Sequence, residues 1–290
     1  MKEKKAIIYY IFALFVIGVW ATTFISSKVL LNYMQPTQLM FMRFIIAYLS
    51  LLAVYPKIEK PHCLKDELLF LLAGITGGSV YYLAENYALK FSWASNVSLL
   101  ITTAPILTAI LAHFFTGHKL TKNLVIGFFV AFTGVFLVVY SGSLQLRLWG
   151  DLLAIAAALC WAVYSVTVTK MSTAYNGIII TRRIFLYAIL TLLPVLPFIK
   201  EKMNFTVLKE PVVVANLLFL GLIASSVCYL LWNSIMGKIG IVKANNFIYL
   251  TPLVTIVASA IVLGEVITWR IVLGGIFILL GVYLSERKPS

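Results

Sequence analysis

The sequence predicts an all-α integral membrane protein with ten transmembrane helices, arranged as two inverted repeats of five helices with both termini in the cytoplasm. Three observations support this prediction: the apolar composition, ten apolar runs of spanning length, and an internal repeat. Of the 290 residues, 62% are hydrophobic and 11% are charged, whereas soluble domains are about half apolar and a quarter charged. A soluble fold of this length cannot bury so much apolar surface, so lipid is the expected solvent.

Ten apolar runs are long enough to cross a membrane, since a transmembrane helix needs about 20 mostly apolar residues. The first run follows a basic N-terminus, as in a signal peptide, but it is too long and has no small-residue cleavage site. We therefore interpret it as the first span. Loops such as 32–35 and 264–268 are very short, which makes neighbouring helices antiparallel and leaves no room for a soluble domain. The predicted spans are 7–31, 37–55, 67–89, 92–114, 122–140, 150–171, 178–199, 212–236, 240–263 and 268–285.

The net charge of +13 comes from Lys and Arg residues that are scattered between the apolar runs. They form no basic face with interleaved aromatic residues, which argues against nucleic-acid binding. With the N-terminus inside, about twice as many of them fall in cytoplasmic as in external loops, and this bias predicts that both termini are cytoplasmic. The three cysteines have no CxxC spacing, so neither a disulfide framework nor a metal site is expected, and no cofactor is indicated.

The internal repeat is the most informative pattern in the sequence. An offset of 147 residues aligns 74–136 with 221–283 without a gap. Each repeat contains five predicted spans, and because five is odd, the second copy enters the membrane from the opposite side. We predict that the repeats occupy 1–143 and 144–290. The offset pairs Gly74 with Gly221, Tyr82 with Tyr229, Asn86 with Asn233, Pro105 with Pro252 and Gly134 with Gly281, and a slightly shorter offset pairs Trp20 with Trp161.

These residues also resemble those of a known family. Three segments are similar to the EamA repeat: Trp-Ala-Thr-Thr-Phe-Ile-Ser-Ser-Lys at 20–28, Met-Arg-Phe at 42–44, and the block from the third to the fifth span that ends in two spaced glycines. The EamA repeat is the unit of the ten-helix branch of the drug/metabolite transporter superfamily, and the resemblance covers nearly the whole chain. It implies a ten-helix bundle that carries small metabolites, often amino acids or their derivatives, by alternating access.

Two prolines lie near the middle of predicted spans four and nine. Pro105 and Pro252 each lack a backbone donor and free the carbonyl group four residues earlier, at Ile101 and Ile248. In lipid a freed carbonyl is tolerated where protein or water satisfies it, so we expect both turns to face the bundle interior. They are either hinges or packing kinks.

Four aromatic residues are candidates to line a substrate pocket. Trp20 and Trp161 fall near the centres of their spans, although membrane tryptophans favour the interfaces. Tyr82 and Tyr229 would complete a pocket that is mostly apolar with a few polar groups. The alternative for each of them is ordinary packing between helices.

Few ionisable residues lie within the predicted spans, and such residues are functional candidates by default. Arg43 and Glu85 lie at similar depths in spans two and three, so we predict an ion pair between them. The alternative is that Glu85 is exposed at the interface. Asn86 and Asn233 are placed close to predicted helix ends, so they either cap these helices or contact a substrate.

The predicted function is secondary transport of a small-molecule substrate across the cell membrane. A coupling ion or a counter-substrate is a further partner that the sequence leaves open. No HExxH, GxSxG or paired mid-span aspartates occur, which argues against an enzyme. Span one has no central carboxylate of the kind that related four-helix multidrug transporters use, so Glu85 is the remaining candidate for coupling. The candidate substrate-binding residues are Trp20, Tyr82, Glu85, Asn86, Trp161, Tyr229 and Asn233.

Two alternatives remain open at this point. Within transport, the chain could take up or exchange a nucleotide-like or vitamin-like solute, which would require Lys or Arg side chains that converge on the cavity. Outside transport, it could be a membrane receptor or scaffold without transport activity.

Overall fold

A computed structural model describes most of the chain as helix, with no strand among the described residues. Within that part of the chain, seven helices are long and apolar enough to cross a membrane, and two shorter apolar helices cover Val125–Gly134 and Trp269–Gly281. The all-α membrane class is therefore confirmed. The predicted boundary between the repeats, at residues 143 and 144, lies outside the described residues, as do the chain termini. The described residues are 2–116, 122–139, 146–172, 174–196 and 203–286.

The helices of the first half are α1 (Lys2–Leu30), α2 (Pro36–Val54), α3 (Leu64–Phe91), α4 (Ala94–Ile101), α5 (Ala104–Thr116) and α6 (Lys122–Val139). Those of the second half are α7 (Leu146–Met171), α8 (Gly177–Leu192), α9 (Pro211–Ile239), α10 (Ile241–Asn246), α11 (Thr251–Leu263) and α12 (Trp269–Glu286). Helices α3 and α9 each contain a π-helical segment, at Ile75–Ser79 and Phe219–Val227.

Local sequence signals set several of the helix ends. Helices α2 and α9 begin with Pro36 and Pro211 in their first turn, where a missing backbone donor costs nothing. The side chain of Asn176 caps α8 by accepting a hydrogen bond from the backbone N–H of Ile178. Helix α11 ends at Gly264, whose φ of 65° lies in the left-handed region that glycine adopts without strain.

Predicted spans four and nine are each broken into two helices, which corrects the expectation of continuous helices with a kink. Helix α4 ends at Ile101 before a two-residue turn, and a 3₁₀ segment at Phe247–Leu250 separates α10 from α11. Pro105 and Pro252 are the second residues of α5 and α11. Each proline thus lies in the first turn of a new helix, where its fixed φ is favourable, rather than inside an existing helix.

The two halves make reciprocal contacts through paired glycines. A Cβ atom at Gly134 of α6 would come within 2.5 Å of the carbonyl oxygen of Gly274, and one at Gly281 of α12 would come within 2.5 Å of that of Gly127. Because these positions are related by the same offset of 147 residues, α6 and α12 pack against each other through equivalent surfaces. Only glycine permits such a close backbone approach.

A second reciprocal pair joins helices that belong to different halves. Gly74 of α3 packs against α8, where a Cβ atom would lie 3.0 Å from the carbonyl oxygen of Ile184. Gly221 of α9 packs against α2, where a Cβ atom would lie 3.3 Å from that of Arg43. Each half therefore contributes the same kind of surface to the centre of the bundle.

We predict that Gly281→Ala lowers the thermal stability of the purified protein in detergent. The added methyl group would force the backbones of α6 and α12 apart, and overpacking of this kind costs about 1–3 kcal/mol. Gly18→Ala is the matched control, because a Cβ atom at Gly18 meets nothing within 4 Å. Equal melting temperatures for the two variants would contradict the close approach of α6 and α12.

Candidate functional site

Seven aromatic side chains meet at the centre of the bundle. We call this group the aromatic cluster. The ring of Trp20 lies 5.3 Å from Trp161, 5.6 Å from Tyr229 and 5.0 Å from Trp232, measured between centroids. Tyr82 lies 6.4 Å from Tyr229, so the structure brings together all four aromatic residues singled out in the sequence. The aromatic cluster consists of Trp20 from α1, Tyr81 and Tyr82 from α3, Trp161 and Tyr164 from α7, and Tyr229 and Trp232 from α9.

Two members of the aromatic cluster bind the π-helical segments. The indole N–H of Trp20 donates to the carbonyl oxygen of Ala224 at 3.0 Å, and the hydroxyl of Tyr229 donates to that of Gly77 at 2.8 Å. Gly77 and Ala224 are equivalent positions of the repeat. In a π-helix each backbone N–H donates to the carbonyl group five residues earlier, as Val80 does to Ile75 and Cys228 to Ile223. The two side-chain hydrogen bonds give each π-helical segment a further donor, which comes from the other half of the chain.

Asn233 links three helices instead of capping one. It accepts a hydrogen bond from the hydroxyl of Tyr164 at 2.5 Å and donates to the hydroxyl of Thr181 at 2.9 Å. The capping interpretation of Asn86 and Asn233 is wrong, because α3 continues to Phe91 and α9 to Ile239. The side chain of Asn86 is fully buried and has no hydrogen-bond partner among the described residues.

A narrow cavity adjoins the aromatic cluster. It lies between the two halves of the chain. Ile101 and Ile248, which precede Pro105 and Pro252 by four residues, both line it. The carbonyl group of Ile248 accepts a hydrogen bond from the backbone N–H of Thr251 at the end of the 3₁₀ segment. The wall is mostly aromatic and aliphatic with a few hydroxyl groups, as is usual for pockets that bind small organic molecules. The lining residues are Trp20, Thr23, Phe24, Tyr81, Tyr82, Glu85, Ser98, Ile101, Thr102, Trp161, Ile248 and Thr251.

The repeats differ at the positions that form this cavity. The offset of 147 residues places Trp232 where the first repeat has Glu85, and the offset that pairs the two tryptophans places Tyr164 where it has Thr23. Trp232 and Tyr164 are fully buried in the aromatic cluster. Larger side chains thus occupy the equivalent space in the second repeat.

Arg43 is buried, but it does not form the predicted ion pair with Glu85. Its guanidinium group donates to the hydroxyls of Ser225 at 2.6 Å and Tyr82 at 3.0 Å, and it lies 4.3 Å from the centroid of the Tyr82 ring. No ion pair within 4.0 Å joins Arg43 and Glu85 in the described part of the chain, and the Nη1 atom of Arg43 has no hydrogen-bond partner there. The alternative of an interfacial Glu85 is also wrong, because the residue is only 3% exposed.

A polar contact that the sequence did not predict closes one end of the bundle. The carboxylate of Glu265, in the loop between α11 and α12, accepts hydrogen bonds from the backbone N–H groups of Ala94 at 2.7 Å and Ser95 at 3.1 Å. Lys28 of α1 lies 3.8 Å from Glu265 and donates to the carbonyl oxygen of Ser92. We call this group, Lys28, Ser92, Glu265 and the first turn of α4, the clamp. It joins both halves of the chain.

The clamp lies directly beyond the cavity. Lys28 follows Trp20 by eight residues on α1, which is about 12 Å along the helix axis. Asp151 of α7 is fully buried next to the clamp and accepts a hydrogen bond from the hydroxyl of Ser92 at 2.5 Å. Sequence reasoning missed Glu265 and Asp151 because one lies in a short loop and the other at the start of a span. A carboxylate that caps a helix distant in the sequence leaves no local pattern.

Two further intramembrane arginines serve the fold rather than the cavity. Arg182 of α8 donates to the carbonyl oxygens of Tyr55 and Lys57, at 2.5 and 2.6 Å. The Nη1 atom of Arg183 donates to both carboxylate oxygens of Glu67, at 2.9 and 3.0 Å, and its Nη2 atom donates to the carbonyl oxygen of Glu59. Both side chains anchor the connection between α2 and α3 to α8.

Comparison with known proteins gives consistent results over the whole chain. The family model described as "EamA-like transporter family" matches residues 7–140 and again 148–287. An uncharacterized transporter of Archaeoglobus fulgidus is 31% identical over 93% of this chain and 94% of its own. A probable terminal-alkyne amino-acid exporter of Streptantibioticus cattleyicolor is 27% identical over 93% and 90%. One protein of known crystal structure has a similar fold, with a TM-score of 0.67, 18% identity and 97% of each chain covered.

We predict that Tyr229→Phe destabilises the protein. The substitution removes the buried hydrogen bond to the carbonyl oxygen of Gly77, and the loss of such a bond costs about 0.5–1.5 kcal/mol. Tyr33→Phe is the matched control, because Tyr33 is 40% exposed. Thermal or denaturant unfolding of the purified proteins in detergent measures the difference. A Tyr229→Phe protein as stable as the control would show that the π-helical segment does not need this hydrogen bond.

Proposed function

The chain belongs to the EamA-like transporter family, and on this basis we propose that it moves small organic metabolites across the cell membrane by alternating access. Its relatives are transporters rather than enzymes, and it is itself a multi-pass protein of the cell membrane. The observation that carries the proposal is the cavity, which both halves of the chain line, with the clamp joining the two halves farther along α1.

We further propose the ten-helix arrangement with inverted repeats at 1–143 and 144–290 and cytoplasmic termini. The pairs α4–α5 and α10–α11 then count as one broken span each, and the shorter helices α6, α8 and α12 complete the ten. The reciprocal glycine contacts support this arrangement, because an inverted repeat places equivalent surfaces of the two halves against each other. In this orientation the clamp lies at the external end.

Amino acids or their derivatives are the substrates that we propose. The name of the probable exporter from Streptantibioticus cattleyicolor gives a terminal-alkyne amino acid as the compound that it exports. The aromatic cavity with scattered hydroxyl groups suits a small, partly apolar solute. A nucleotide-like solute is disfavoured, since its phosphates would require Lys or Arg side chains. The described residues that line the cavity include the acidic Glu85 and no Lys or Arg.

Three features of the site have defined roles in this proposal. Trp20, Tyr82 and Trp161 form the wall on which the substrate rests, and Tyr229 packs against these three rings. Pro105 and Pro252 begin the half-helices that pivot at the broken spans. The clamp is the external gate, because Lys28 and Glu265 must separate before the cavity opens on that side. Substrate release to the other side requires the gate to stay closed.

In a panel of radiolabelled amino acids and nucleotides, the purified protein in liposomes is predicted to transport one or more of the amino acids and none of the nucleotides. The panel is tested with and without a pH gradient or a trans substrate. Trp20→Ala and Trp161→Ala should lose this flux, because both side chains line the cavity. Trp149→Ala removes a tryptophan that is 64% exposed and should leave the flux intact.

Two results would contradict the proposal. Absence of flux for the whole panel, together with binding of a protein partner, would favour a receptor or scaffold. Equal flux in all three tryptophan variants would show that the cavity is not on the transport path.

A further inference from the structure

One charged side chain lines the cavity, and part of it has no partner. Glu85 of α3 is 3% exposed, and its Oε1 atom accepts no hydrogen bond from the described residues. A buried carboxylate is costly unless a proton or a positive charge accompanies it. The position therefore calls for a ligand that brings a positive charge or a hydrogen-bond donor.

The walls around Glu85 favour an organic cation. Trp20, Tyr81, Tyr82 and Trp161 all line the same cavity, and the Tyr81 ring lies 5.5 Å from that of Trp161. Aromatic faces are electron-rich and attract ammonium groups, most strongly where water is excluded. A carboxylate combined with aromatic walls is thus complementary to a positively charged nitrogen attached to an apolar body.

Arg43 does not take the place of this ligand. Its Nε and Nη2 atoms donate to Ser225 and Tyr82, its Nη1 atom has no partner among the described residues, and Arg43 is not among the residues that line the cavity. No Lys, Arg or His is part of the described lining either. The positive charge of Arg43 lies behind the Tyr82 ring, to whose hydroxyl it donates, and not in the cavity itself, so the space next to Glu85 is free for a cation.

We propose that the cavity binds its substrate through a positively charged nitrogen, a protonated amine or a quaternary ammonium group, placed against Glu85. The apolar part of the substrate then lies between the aromatic rings. This inference rests on the proposed function and narrows it, since amino acids and amines both carry such a group. An alcohol of the same shape lacks the charge, so it leaves the buried carboxylate uncompensated and binds more weakly.

Calorimetric titration of the purified protein in detergent tests the inference without requiring transport. The probes are n-butylamine, cyclohexylmethylamine and 2-phenylethylamine, each compared with the alcohol that has the same carbon skeleton, together with 3-phenylpropanoate as an anion. At neutral pH at least one amine should bind about tenfold or more tightly than its alcohol, a difference of about 1.4 kcal/mol. The anion should not bind.

Glu85→Gln should abolish the preference for the amine, because the amide keeps the shape of the side chain without its charge. Glu210→Gln removes the same charge from an exposed position and should keep the preference. If Glu85→Gln does not fold, the comparison of amines and alcohols on the native chain still decides. Glu85→Asp, which retains the charge, should then fold and prefer the amine.

Three results would overturn the inference: no binding of any amine, equal affinity for amines and alcohols, or a preference for the amine that persists in Glu85→Gln. The first result would leave Glu85 as a site for a proton alone. Metabolite flux without a preference for the amine would refute this inference and leave the transport proposal intact. A preference for the amine without any metabolite flux would support this inference and contradict the transport proposal.

Discussion

The interior of this protein depends on two hydrogen bonds that satisfy backbone carbonyl groups within the membrane. Helices α3 and α9 each contain a π-helical segment at the same position of the repeat, and the carbonyl groups of Gly77 and Ala224 in these segments accept hydrogen bonds from Tyr229 and Trp20. Because lipid offers no donor, these bonds fix where the two aromatic side chains lie. The rest of the aromatic cluster packs around them, and the cavity is the space that the cluster leaves on one side.

The cavity exists because the two repeats are not identical. Their backbones make reciprocal contacts, as the glycine pairs show, but Glu85 and Thr23 in the first repeat correspond to Trp232 and Tyr164 in the second. Two large rings fill one half of the bundle centre, while smaller or charged side chains leave room in the other. The two halves thus have similar backbones, and the side chains that differ between them form a single cavity.

The sequence was sufficient to predict the membrane class, the family and the meeting of Trp20 with Trp161, because hydropathy and the repeat are properties of the whole chain. Contacts that depend on side-chain direction could not be predicted in this way. Arg43 and Glu85 have similar depths, yet Ser225, far away in the sequence, binds the guanidinium group instead. The contact of Glu265 could not be predicted for the same reason, since the helix that it caps begins about 170 residues earlier.

Alternating access requires that one end of the cavity opens as the other closes. Spin labels are placed in two pairs on a chain without native cysteines, one pair at Asn32 and Val266 beside the clamp and the other at Lys65 and Lys238 at the opposite end. All four residues are exposed. Each pair reports one distance between the two halves. Double electron–electron resonance in proteoliposomes, with and without a transported substrate, should show one distance lengthening while the other shortens. Two distances that stay fixed, or that change in the same direction, would contradict the account.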